Sequence, residues 1–562
     1  TDNTAVGFQA LYQSSEGNNN TAIGSYALTA NSTGTDNTAV GHNALKTSTS
    51  GTHNAAIGKE SLYLNTTGTA NTAAGAYALY ANTTADNNVA FGYSALVANT
   101  TGSENTALGS YSLDSNTTGL YNTAVGHDSL GTNTTGGRNC AFGFNTLDNN
   151  TTASYNSAFG MNALGANTTG ATNTAVGYNT LTANTTGHYN TAVGYAAAST
   201  NTTGTHIVAF GREALELNTT GTQNCAFGSY ALHANTVGVS NTAIGYTALE
   251  DNTTGDNNTA IGHYALKENT ASGMTAIGKD ALKVNTTGEE NVAIGYRTLM
   301  TNTTGQYNVA IGNGTLESGA TGNYNVGVGY RCLYWSTSGH SNTAVGYRAG
   351  NTISTGHSNT AIGYLSLYTE TDGIRNVAIG FHAGQVQVSA DDNVWIGYQS
   401  GLSDTTGHSN VGIGKDALRG CTTGNYNTAV GTDALTVATT ASNNTALGNE
   451  GLGAVTTGDL NTAIGNGAGI YITTGDNNTM LGRGSGGNGS PSGNVSTASN
   501  IICLGNNSVT DLYCADTSIS SSDKRDKTDV ADFTNGLNWV NQLKPVTYRW
   551  DKRCWYDDNT PD

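Results

Sequence analysis

The sequence predicts an all-β fold, a long parallel β-solenoid wound from 17-residue coils, with a short α+β module behind it. Three observations carry that expectation. The string N-T-A-(V/I)-G returns every 17 residues from Asn3 onward. The unit is too short for a helical hairpin repeat of about 33 residues or more. Proline is absent until Pro491, so no residue of the array is barred from donating a ladder hydrogen bond.

The array comes first in the chain and occupies residues 1–482. Its spacing holds at 17 from Asn3 to Asn258, shortens once to 16 to reach Met274, and returns to 17 as far as Asn478. The unit reads N-T-A-(V/I)-G-x-x-A-L-x-x-N-T-T-G-x-x, and positions one to seventeen below follow that order. Positions two and four alternate with position three, as a strand requires. The reading places positions two, four and nine inside the coil. It leaves the Ala or Gly of position three as a bare outer face against which identical chains press. Gly at position five and N-T-T-G at positions twelve to fifteen supply turn chemistry. A core this thin points to association of several chains about an axis. At about 4.8 Å per rung the array would extend about 130 Å.

Composition narrows the function. With 75 glycines, 11% charged residues and a net charge of -18, and with no clustered Lys and Arg in the first 500 residues to neutralise phosphates, no nucleic-acid partner is expected. Seven cysteines (140, 225, 332, 421, 503, 514, 554) show no paired ligand spacing, so neither a zinc site nor a small-domain disulfide framework is indicated, and no metal or cofactor is expected. No apolar run of about 18 residues exists, so no membrane insertion is expected. The opening Thr1-Asp2-Asn3 reads as a fragment or a processed chain.

Within the array, Tyr330, Tyr347, Tyr364, Phe381 and Tyr398 recur at position six and would stack on successive coils, as a strip for sugars or as a stabilising ladder. Trp395 stands in the small position three and would mark a local widening of the assembly. Asn-Thr-Thr at Asn65, Asn82, Asn99 and Asn116 matches the N-glycosylation acceptor pattern, and stacked amide ladders explain the same residues. His340, His357 and His408 fall in a turn facing water rather than in a metal site.

Residues 483–521 form a Gly/Ser-rich break and a short β neck, and residues 522–562 open a different module. That module carries Trp539, Trp550 and Trp555, a helical spacing at Phe533, Leu537, Val540 and Leu543, and a strand-like run from Pro545 to Trp550.

Two resemblances add to this reading. The N-T-A-V-G and N-V-A-I-G strings resemble the head repeats of trimeric autotransporter adhesins of the YadA type, which implies a left-handed parallel β-roll in a homotrimer. The tail, Ser522-Asp523-Lys524-Arg525-Asp526-Lys527 followed by Gly536-Leu537 and Lys544-Pro545-Val546, resembles the C-terminal intramolecular chaperone autoprotease of phage tail fibres and tail spikes. That resemblance implies Ser522 as nucleophile, Lys527 as its base, and a single-turnover cut between Ser521 and Ser522. A nearby unprotonated amine is what a serine hydroxyl needs to become nucleophilic. Together they imply a homotrimeric fibre of a virion or extracellular surface that attaches to a host-surface glycan or receptor and sheds its own folding chaperone. A cellular adhesin or glycosylated extracellular filament of a microbe is the alternative. A glycan-degrading spike is disfavoured, because the array shows no closely placed carboxylate pair.

Overall fold

The computed structural model describes residues 2–511 and 513. The chain divides into two compact units, Thr1–Ser508 and Val509–Asp562, and the fold described here is that of the first. The 17-residue period becomes thirty strands of three residues each, β1 (Thr4–Val6) to β30 (Ile502–Leu504), with no helix among the described residues. Each strand pairs in parallel with the next, residue for residue, as Ala175 with Ala192 and Ala192 with Ala209. The 16-residue step keeps this register, Thr259 facing Thr275. After β29 (Thr479–Leu481) the chain takes a longer path of 23 residues before Ile502 comes opposite Thr479, so the ladder runs on past Gly482.

The two faces of the strand are the reverse of the expectation. Position three points inward: from Ala22 to Ala463 every alanine at this position is fully buried. Position four points outward, with Phe91 59% exposed, Ile57 50% and Phe227 46%. The period of two separates the faces but does not say which is inside. Coil width decides it. Position three faces the Ala-Leu pair of positions eight and nine across a narrow interior, and once leucines such as Leu28, Leu96 and Leu181 fill that space only a methyl group fits opposite.

Trp395 proves the rule by its exception. It lies at position three of β24 (Val394–Ile396) and is fully buried, so it does not widen an assembly as expected. Three side chains make way for it. A methyl on Gly401 would sit 2.3 Å from its ring, one on Gly384 2.7 Å and one on Gly412 2.8 Å. Two of these glycines replace position-nine leucines, and the third replaces a position-three alanine. The indole Nε1 donates to Gln387 Oε1 at 2.9 Å, so its polar atom is satisfied.

Polar ladders complete the interior. At position one, Asn37 donates from Nδ2 to Gly51 O (2.8 Å), and its Oδ1 accepts the backbone N–H of Asn54 (3.0 Å). At position twelve, Asn82 donates to Asn65 Oδ1 (2.8 Å) and to Ala85 O (3.1 Å). Two buried amide columns thus hold turn on turn. Glycine at position five is obligatory: its φ is 129° at Gly312, where an added methyl would lie 2.1 Å from Gly329 O. The leucines of position nine adopt φ near 50°, as at Leu28 (50°) and Leu215 (53°), a left-handed conformation whose cost their complete burial offsets.

Candidate functional site

The coil places position six just after the tight glycine of position five, at the outer edge of the strand face. Tyr330, Tyr347, Tyr364, Phe381 and Tyr398 stack there as the spacing predicts, with ring centroids 5.2, 5.1, 5.1 and 5.3 Å apart and planes within 12° of parallel. Each ring is roughly half exposed. Arg331 lies 5.3 Å from the Tyr330 ring and Arg348 lies 5.4 Å from the Tyr347 ring. His382 packs on Phe381 at 4.1 Å. The strip therefore presents ring edges, phenol hydroxyls and cations on a chain that is acidic as a whole. Shorter ladders occur in other columns, including Phe210 on Phe227 at 4.8 Å and Tyr307 on Tyr324 at 5.3 Å, so aromatic stacking also stabilises the coil away from this strip.

Two buried carboxyls, missed in the sequence reading, lie within the same stretch. Glu370 and Asp404 occupy position twelve, the asparagine column, and both are fully buried. Glu370 Oε1 accepts from the N–H groups of Thr371 (2.9 Å) and Gly373 (2.7 Å), while its Oε2 is buried without a partner. Asp404 Oδ1 accepts from Gly407 N at 3.0 Å. Burial pushes the Glu370 carboxyl up to about 7 and the Asp404 carboxyl up to about 8, more than their backbone hydrogen bonds lower them. Aligning position twelve turn by turn would have revealed them, since an acid replaces an amide there.

Asn65, Asn82, Asn99 and Asn116 belong to the buried ladder. Asn99 Nδ2 donates to Asn82 Oδ1 and Gly102 O, both at 2.9 Å, and Asn116 donates likewise to Asn99 and Gly119. A glycan on any of these nitrogens would take the place of an amide hydrogen and require space the coil interior lacks, so in the folded coil the acceptor pattern is a ladder pattern. His340 and His357 stack 4.6 Å apart on the surface, each beside the hydroxyl of the following serine, and His408 Nδ1 accepts from Asp391 N at 3.0 Å. Glu213, Glu216 and His233 are the one group among the described residues that could bring three ligand atoms within 4.8 Å of one another. Both glutamates are already engaged, Glu216 with His233 and Glu213 with Arg212, each at 2.9 Å.

Ser522 and Lys527 lie outside the described residues. Residues 522–561 match the family model described as Chaperone of endosialidase. No curated protein matches the chain. A parallel β-solenoid followed by such a segment fits a phage tail fibre with a C-terminal chaperone. Among the described residues no helix is long and apolar enough to cross a membrane.

Proposed function

We propose that this protein is the adhesive shaft of a phage tail fibre or spike, assembled as a parallel homotrimer and presenting glycan-binding surfaces to a host envelope. The observation that carries the proposal is the outward strand face. None of the thirty strands holds a charged residue, and the outward side chains of positions two and four are Thr, Val, Ile, Leu, Phe, Cys, Ser or Ala throughout. An unbroken apolar stripe of this length and constant pitch is matched by another chain of the same repeat. Three is the count implied by the chaperone of endosialidase-type fibres. The interface is thus the position-two and position-four face rather than the alanine face.

The Tyr330–Tyr398 strip, with Arg331 and Arg348 beside it, is a candidate contact for host glycans, weak per chain and strengthened by threefold avidity. Ser522 and Lys527 are the proposed nucleophile and base of a single self-cleavage after Ser521. Localisation to a virion appendage follows from the same reading.

Light scattering tests the assembly. The wild-type protein should be a single trimeric species. Phe227→Glu, which buries nothing in the isolated coil that is not already half exposed, should lower the mass while leaving the β circular dichroism intact. Thr186→Glu, on an exposed turn, should do neither. A monomeric wild type, or a Phe227→Glu variant as trimeric as wild type, would remove this interface.

A further inference from the structure

The long step between β29 and β30 does more than continue the ladder. Its residues Gly484, Gly487, Asn488 and Gly489 line, together with residues of the neighbouring coils, a cavity of about 490 Å³, open to solvent, within the size range of small-molecule sites. The wall is fixed at several points. Ser490 N donates to Gly487 O (2.9 Å), Gly493 N to Ser490 O (3.0 Å), Val495 N to Gly486 O (3.0 Å), and Asn507 N to Gly489 O (2.7 Å). This Gly- and Ser-rich segment is thus a pinned loop rather than a slack linker.

The lining is chemically mixed in a particular way. Arg483 and Glu450 both face the cavity and make no ion pair with each other or with any other described residue. Asn466 spends its Nδ2 on Asn449 Oδ1 at 2.8 Å, which leaves its own Oδ1 free to accept. Asn506 spends its Oδ1 on Ser508 N at 3.0 Å, which leaves its Nδ2 free to donate. Asn488 adds a third amide, and Tyr471, 42% exposed, adds an aromatic ring against whose edge Gly487 is packed. Donors and acceptors therefore share an open space with one ring beside it. A bare anion would meet Glu450, and an apolar ligand would leave the amides unpaired. A polyhydroxylated ring satisfies both, since each hydroxyl donates and accepts, and its C–H face can lie on the tyrosine.

From this lining we infer that the open cavity beside the last coils is a saccharide-binding site, with Arg483, Asn506 and Asn488 as donors, Glu450 and Asn466 as acceptors, and Tyr471 as the stacking platform. It rests on the reading of the protein as an adhesive fibre and places a second, concave glycan contact beside the last coils, apart from the flat Tyr330–Tyr398 strip. Cleavage after Ser521 would leave all six residues in the retained fibre.

The test is an array of immobilised bacterial surface oligosaccharides, neutral and acidic, probed with the full-length expressed protein. Three variants accompany it: Arg483→Ala, Tyr471→Ala, and Tyr364→Ala in the strip. Light scattering confirms that each retains the wild-type mass. At least one saccharide should bind the wild type and lose about tenfold or more of its affinity in both Arg483→Ala and Tyr471→Ala. Undiminished binding in those two variants overturns the site. If Tyr364→Ala alone loses binding, the adhesive reading survives and this cavity does not. A wild type that binds no saccharide on the array overturns both.

Discussion

Glu370 and Asp404 show how one residue changes what a repeat can do. From Asn65 to Asn302 position twelve carries a neutral amide, and here it carries acids with a glutamine, Gln387, between them. The groups facing Glu370 are the Asp372 carboxylate and the backbone N–H groups of its own turn; those facing Asp404 are Glu370 and the Cys421 thiol, itself pushed up to about 12. Both acids hold a proton more tightly folded than unfolded. Their contribution is therefore complete below about pH 4, and it is lost as the pH rises through about 7 and about 8. Guanidinium unfolding followed by tryptophan emission, to which buried Trp395 contributes, should show lower stability at pH 9 than at pH 5, by on the order of 3 kcal/mol from Glu370 alone. Glu370→Gln with Asp404→Asn should flatten that difference. A pH-independent wild type would show that the carboxyls are not held as neutral acids.

At the scale of the single turn, the amide column matters more than the strand. Three residues of strand per coil give little pairing, whereas the position-twelve ladder runs unbroken from Asn65 to Asn252. Where it stops, oxygens are stranded: Asn252 Oδ1 before the short coil and Asn302 Oδ1 before Gly319 are buried without partners. Asn184→Ala would strand Asn167 Oδ1 on one side and leave one N–H of the Asn201 amide, which keeps its bond to Gly204 O, without an acceptor on the other. The expected cost is about 1–3 kcal/mol per group, read as faster hydrogen exchange confined to the coils around residues 167–201. Thr186→Ala, on the exposed turn beside it, should stay within about 0.5 kcal/mol. These columns were legible in the sequence, because period, turn residues and aromatic stacking all depend on spacing alone. The inward face was not legible. Alanine at position three and valine or isoleucine at position four suit either orientation until the opposite wall is known, and that wall is set by the left-handed leucines of position nine. Nor did spacing reveal the terminal cavity, whose walls come from glycine and serine held by hydrogen bonds rather than from any repeating side chain.

The whole molecule poses a register problem that its chemistry must solve. Thirty nearly identical rungs let two chains slip by one coil while losing only one rung of contact, so the apolar stripe alone specifies alignment weakly. Few features break the degeneracy: the 16-residue step at Met274 and the 23-residue step after β29. A terminal module that gathers three chains before the coils zip together would set register at one end and let it propagate, as stacking of repeats allows. That is the role proposed for residues 522–562, and it separates needing the module from keeping it. Expression of the full-length gene should give a fragment ending at Ser521, detected by intact mass, and one trimeric species by light scattering. Ser522→Ala should remain uncleaved and still trimeric, because it removes the cut and not the clamp. A gene ended at Ser521 has the same mature sequence without having met the clamp, and it should yield a spread of masses and aggregates. If that shortened gene assembled as cleanly as the cleaved wild type, the stripe would be setting register unaided, and the tail would have no part in folding.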